Sequence, residues 1–102
     1  DIALYYILQQ ASKKLPAYML CHEKLLQLKN ISDNGTLPLY ETLQVYLNNH
    51  QNITKTAEDL FIHRSTLLYR LDKIRDVLKS DLSNPNEVLY LLLSYQLMDM
   101  PV

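Results

Sequence analysis

The segment from Asn52 to Leu71 reads N-I-T-K-T-A-E-D-L-F-I-H-R-S-T-L-L-Y-R-L, and its polar residues are mainly cations and hydroxyls. Cations neutralise phosphate, an arginine can pair bidentately with guanine, and a serine hydroxyl hydrogen-bonds either way. A tyrosine can touch a thymine methyl or donate to a phosphate. The groups that perform covalent chemistry are not assembled. No nucleophile stands beside a base, no carboxylates are paired at catalytic spacing, and no glycine-rich loop could cradle a phosphate. His63 has no second histidine or carboxylate at metal or catalytic spacing, and His22 and His50 read as ordinary surface residues. Cys21 is the only cysteine, so no internal disulfide can form, and with His22 it falls short of a zinc ligand set. These residues exclude an enzyme and imply no metal and no cofactor.

Such groups act only where a helix pair presents them. Two helices that cross steeply need a small residue at the crossing and apolar residues on both sides of the turn. Ala57 supplies the first, and Leu60, Ile62, Leu67, Leu71 and Ile74 supply the second. The bend is expected at Phe61 to His63, with His63 as the cap of the second helix and Arg64, Ser65 and Thr66 in its first turn. At about 100° per residue, Leu67, Leu71, Ile74 and Leu78 share an inward stripe, while Ser65, Tyr69 and Asp72 fall opposite. Arg64, Ser65 and Tyr69 are therefore the candidates for base edges. Thr54, Lys55, Thr56, Thr66, Arg70 and Lys73 are the candidates for the backbone, with the Arg70 stem snorkelling outward. Asp72 and Asp76 are unfavourable next to phosphate.

The rest of the chain must hold this pair. Asp1 to about Ser12, carrying Ile2, Leu4, Tyr5, Ile7 and Leu8, reads as a helix apolar on most faces, with Asp1 available as its cap, and such a helix must be covered. After Pro16 a second helix is expected from Ala17 to about Lys29. Asn30 to Thr36 concentrates turn formers around Gly35, the only glycine, which can take a positive φ at a reversal. Pro38 suits the first turn of a helix carrying Leu39, Leu43, Tyr46 and Leu47, ending near Asn48 to His50. Asn84 as cap, Pro85 at the first position and Glu87 reaching back open a last helix, apolar nearly all round from Val88 to Met98, which is either central or an interface. The expected fold is all-α, a single compact bundle of about five to six helices over residues 1–102. Its parts are an N-terminal subregion (1–35), a helix-turn-helix (52–79, second helix about 64–79) and a C-terminal helix (85–100).

Charge does not favour a polyanion partner globally. Ten Lys and Arg against eleven Asp and Glu give a formal charge of −1, whereas duplex-binding domains usually carry a basic surplus. Within Asn52 to Lys79, Lys55, Arg64, Arg70, Lys73, Arg75 and Lys79 outnumber Glu58, Asp59, Asp72 and Asp76. No uncharged apolar run approaches the roughly 18 residues of a membrane span, and no targeting segment is visible. With its single thiol the chain fits a reducing cytoplasm.

T-A-E-D-L-F-I-H-R-S-T-L-L-Y-R-L resembles the C-terminal helix-turn-helix of the PucR/CdaR family of bacterial transcription regulators, whose pattern runs roughly T-A-x-x-L-x-[IV]-H-x-N-T-L-x-Y-R-L. L-Y-E-T-L-Q-V-Y-L before it, D-L-S-N-P after it and D-I-A-L-Y-Y-I-L upstream are similar to the family as well, so the resemblance covers most of the chain. It implies sequence-specific binding of double-stranded DNA as the output domain of a longer regulator, a homodimer, and an effector sensed outside this chain. Ser65 departs from the family's usual Asn. Ser80 stands where a glycine commonly ends the recognition helix, which implies loss of a left-handed cap. Segment 52–71 is also similar in pattern to phage Cro proteins, whose turn usually holds glycine where Phe61 stands. The alternative is a helical interaction module without DNA contact. An exposed apolar patch over Leu91, Leu92 and Tyr95, with the outer face of the motif occluded, would mark it.

Overall fold

A computed structural model describes residues 2–100, and the Asp1 cap lies outside them. Among the described residues there are seven helices and no strand. They are α1 (Ile2–Ser12), α2 (Ala17–Leu20), α3 (Glu23–Asn34), α4 (Leu39–Asn48), α5 (Ile53–Leu60), α6 (Arg64–Leu78) and α7 (Pro85–Asp99). The all-α expectation holds. The count rises because the helix expected from Ala17 to about Lys29 is two: Cys21 is extended, and His22 starts α3 by accepting the Lys24 N–H on Nδ1 at 3.1 Å. The His22 N–H donates in turn to Ser94 Oγ on α7 at 2.8 Å, so the break is held by a residue far along the chain.

The clearest turn in the sequence is shorter than its composition suggests. Asn30 to Asn34 stay helical, with Asn34 Nδ2 donating to the Asn30 carbonyl at 2.8 Å and Ser32 Oγ accepting the Tyr40 N–H at 2.8 Å. Gly35 does not use the left-handed region; its φ is −120°. It serves by lacking a side chain, since a Cβ there would stand 2.9 Å from the Ile31 carbonyl oxygen.

The main core joins α3, α4, α5, α6 and α7. Leu25, Leu28, Leu43, Leu67, Leu71, Ile74 and Leu91 in it are fully buried. A smaller cluster of Leu8, Cys21 and Leu97 fastens α1 and α2 to α7, and burial raises the Cys21 thiol pKa. Tyr95 runs through the middle of the bundle, its hydroxyl donating to the Tyr40 carbonyl at 2.6 Å and its ring 4.7 Å from that of Tyr40. Burial pushes the Tyr95 hydroxyl up and, helped by Asp99, the Tyr40 hydroxyl up to about 12, so both phenols stay neutral donors.

The start of α7 follows its signals with one exception. Asn84 Oδ1 accepts the Asn86 and Glu87 N–H groups at 2.9 and 3.3 Å. The Glu87 side chain, expected to reach back to the cap, instead accepts from Ser80 Oγ and meets His22 Nε2 at 3.4 Å. It thereby ties the loop after α6 to the start of α3.

Candidate nucleic-acid interface

α5 begins at Asn52, whose Oδ1 accepts the Lys55 N–H at 2.9 Å, replacing one of the unsatisfied first-turn donors with a cap. It ends in a Schellman motif. Phe61 takes the left-handed conformation (φ 56°, ψ 42°), its N–H bonds the Glu58 carbonyl, and the Ile62 N–H bonds the Ala57 carbonyl at 3.1 Å. The chain leaves α5 sharply and enters α6 after three residues. Ala57 is buried at the corner, and Leu60 and Ile62 pack on the core from either side of the turn. The small residue and its apolar seal are where their spacing puts them.

α6 is two-faced. Leu67, Leu71, Ile74 and Leu78 are 0 to 3% exposed, and Arg64, Ser65, Tyr69, Asp72 and Lys73 are exposed. His63 is the residue before α6, and its carbonyl accepts the Leu67 N–H at 3.1 Å. Its side chain makes no cap hydrogen bond, a correction to its expected role: the imidazole is exposed and the backbone alone starts the helix. At the other end Lys79, not Ser80, takes the left-handed conformation (φ 52°), and the Ser80 N–H bonds the Arg75 carbonyl at 3.3 Å. The cap expected to be lost is therefore present one residue earlier, and the Ser80 hydroxyl is left to bind Glu87.

The three base-edge candidates, Arg64, Ser65 and Tyr69, are all exposed on α6. Lys73 is exposed beside Tyr69, with Nζ 5.3 Å from the ring centre, close enough for a cation–π attraction that pins two flexible groups together. Thr54 and Lys55 are exposed at the start of α5, and Lys55 Nζ pairs with Asp59 at 3.1 Å. Hydrogen bonds from Asn49 and then Lys55 hold the Asp59 carboxyl below its ordinary pKa. Thr66 is half-buried in the first turn of α6.

Two of the backbone candidates are turned inward. Thr56 has no exposure and its hydroxyl lies 3.4 Å from Asn49 Nδ2, so no phosphate can reach it. Spacing placed it beside Thr54 and Lys55; the packing of α4 against α5 decides its depth. Arg70 does not snorkel outward as expected. Nη1 donates to Thr42 Oγ1 on α4 at 3.3 Å, and buried Nε has no partner. The Thr42 hydroxyl donates to the Pro38 carbonyl at 2.7 Å, so this cation braces α6 against the first turn of α4. Asp72, the unfavourable group, is exposed but answered by Arg75 at 3.8 Å.

Sequence reasoning missed Asn49. Its amide reaches both Thr56 and Asp59, at 3.4 and 3.0 Å, and so anchors α5 to the end of α4. A lone asparagine at a helix end carries no signal of such a reach. The mark set for an interaction module is absent. Leu91 and Tyr95 are 0 and 2% exposed and Leu92 is partly buried against the core, while the outer face of α6 is open. Among the described residues no cluster of three or more His, Cys, Asp or Glu could hold a metal, and no helix is long and apolar enough to cross a membrane.

Residues 39–97 match the sequence pattern of the PucR C-terminal helix-turn-helix domain. The purine catabolism regulatory protein of Bacillus subtilis is 39% identical over 59 residues, covering 58% of this chain and 11% of that protein. The proline-responsive transcriptional activator PutR of the same organism is 31% identical over 83 residues, 81% of this chain and 20% of its own length. The carbohydrate diacid regulator of Escherichia coli is 37% identical over 73 residues, 72% of this chain and 18% of its own length. The chain thus spans a fifth or less of these relatives. No solved structure matches it.

Proposed function

The chain belongs to the family of PucR C-terminal helix-turn-helix domains, and from that premise we propose that it binds double-stranded DNA sequence-specifically, as the output domain of a cytoplasmic transcription regulator. α6 enters the major groove by its N-terminal end. Arg64, Ser65 and Tyr69 read base edges, and Thr54, Lys55, Thr66 and Lys73 engage the phosphates on either side. Thr56 and Arg70 are left out of the contact set. Two copies act together on half-sites about 34 Å apart or a multiple of it, and the effector is sensed by a part of the protein outside this chain. The role is binding, not catalysis.

One observation carries this reading: a helix whose inner stripe is sealed in the core presents Arg64, Ser65, Tyr69 and Lys73 together to solvent. The weak overall charge is offset locally, because Lys55, Arg64, Arg70, Lys73, Arg75 and Lys79 outnumber the four carboxylates between Asn52 and Lys79. Salt then decides the matter. Fluorescence anisotropy against random-sequence duplex should show affinity falling steeply with salt, as counterion release requires. Lys55→Ala should weaken every duplex about equally and reduce the salt slope by about 1. Arg64→Ala should relax sequence preference at one position by about 1–3 kcal/mol. Salt-independent binding, or two variants that bind as the parent does, would show that this face is not the DNA face.

A further inference from the structure

Phe61 is the only phenylalanine of the chain and, among the described residues, its most exposed large apolar side chain, at 93%. Two apolar residues among the described ones take a positive φ, Phe61 and Leu82. Leu82 is 1% exposed, so burial offsets the crowding of its Cβ. Phe61 has no such offset. The left-handed angle strains it, its ring stays in water, and a glycine would close the same Schellman motif without the crowding. A conformation that costs stability and brings no packing points to a role outside folding. The position narrows that role. Phe61 opens the three-residue connection between α5 and α6, and the exposed His63, Arg64 and Ser65 lead from it into the N-terminal end of α6. A phenylalanine side chain so exposed offers roughly 200 Å². A protein partner covers about 800 Å² on each side of a standard interface, and the exposed neighbours Glu58, Asp59 and His63 add no apolar patch. A lone ring among polar groups is matched instead to a partner that presents one small apolar group.

We propose that Phe61 is a specificity-determining residue whose ring packs on the C5-methyl group of a thymine in the major groove, beside the base pair that Arg64 reads. Resting on the reading of α6 given above, this contact extends it from polar base edges to an apolar one. Among the groups that base pairs expose in the major groove, the thymine methyl is the apolar one, and a phenylalanine ring is a suitable counterpart. Duplex DNA thus supplies the small apolar partner that suits Phe61, at the end of α6 where Arg64 is exposed. Reach fixes where the thymine lies. Three residue steps of at most about 3.6 Å separate the Cα atoms of Phe61 and Arg64, and successive base pairs rise about 3.4 Å. The thymine is therefore within about three base pairs of the one Arg64 reads. The contact selects thymine over cytosine and sets which strand carries it.

Uracil lacks only that methyl, so it isolates the contact. A duplex that the parent chain enriches from a random pool is synthesised with each thymine in turn replaced by deoxyuridine, and binding is followed by fluorescence anisotropy. The parent should lose about fourfold in affinity at one position, the worth of one buried methyl. Phe61→Gly and Phe61→Ala should bind the thymine and uracil duplexes alike at that position, because neither has a ring to cover the methyl. Both variants should keep the parent's salt slope, since no phosphate contact is lost, and their thermal melts show that the domain stays folded. A parent indifferent to uracil at every position, or variants that keep its sensitivity, would overturn the proposal and leave the ring to some other partner. Variants that weaken the thymine and uracil duplexes by the same factor would also overturn it, assigning the ring to a sugar or to the set of the turn. A parent that enriches no sequence from the pool fails earlier, overturning the reading of α6 and the thymine contact with it.

Discussion

Phe61 combines two unfavourable choices at one position. It is a bulky residue in the left-handed region, at φ 56° and ψ 42°, and its ring is 93% exposed. The left-handed conformation costs a non-glycine residue about 1–2 kcal/mol because Cβ crowds the following carbonyl. Phe61→Gly removes that cost and loses almost no packing. Against this stands the larger conformational entropy of glycine in the unfolded chain, about 0.5–1 kcal/mol. The net expectation is a gain of about 0.5–1 kcal/mol. At about 4–8 °C per kcal/mol for a domain near this size, the melting temperature should rise by a few degrees. Phe61→Ala separates the two parts, since alanine keeps the backbone cost and discards only the ring; its stability should stay within about 0.5 kcal/mol of the parent. Thermal and urea unfolding of the three proteins make the comparison. If Phe61→Gly lowers the midpoint, or Phe61→Ala costs more than about 1 kcal/mol, the ring is packed against something and the strain argument fails.

The other expectations concern the parts that hold α6. Tyr95→Phe removes the donor to the buried Tyr40 carbonyl and should cost about 1–3 kcal/mol in urea unfolding with an unchanged slope. Leu71→Ala empties a site with no exposure and should cost about 2–5 kcal/mol by the same assay. The folded-state pKa of Asp59 lies below its ordinary value, so its contribution is full above the ordinary carboxylate range and fades as pH falls through the lower folded value. An NMR titration should place its midpoint below that of an unstructured aspartate, and Asn49→Ala should move it up.

The sequence made legible what depends on one helix at a time. The period of Leu67, Leu71, Ile74 and Leu78 identified the inner face of α6, because a stripe of one residue type on one helix has one way to be buried. Ala57 and the residues around Phe61 revealed the corner for a similar reason, the close approach of two adjoining helices. What failed was set by other helices. Thr56 and Arg70 are turned inward by Asn49, just past the end of α4, and by Thr42 within it, which local spacing does not encode. The break at Cys21 and His22 is fixed by Ser94, and Glu87 left its expected capping role because Ser80 and His22 are nearer partners. Gly35 shows the same limit: its type announced a special backbone angle, and its neighbour Ile31 required only the absence of a Cβ.

The place of α3 in the core bears on where this unit can be cut. The family pattern starts at residue 39, yet Leu25 and Leu28 of α3 are wholly enclosed with Leu43, Leu71 and Ile74. A chain trimmed to the shared pattern would open the floor beneath α6 and strand Ser94 without the N–H it receives from His22. The smallest piece that folds is therefore set by the hydrophobic interior, and a minimal helix-turn-helix unit carved from this protein must keep the helix upstream of the pattern that marks it.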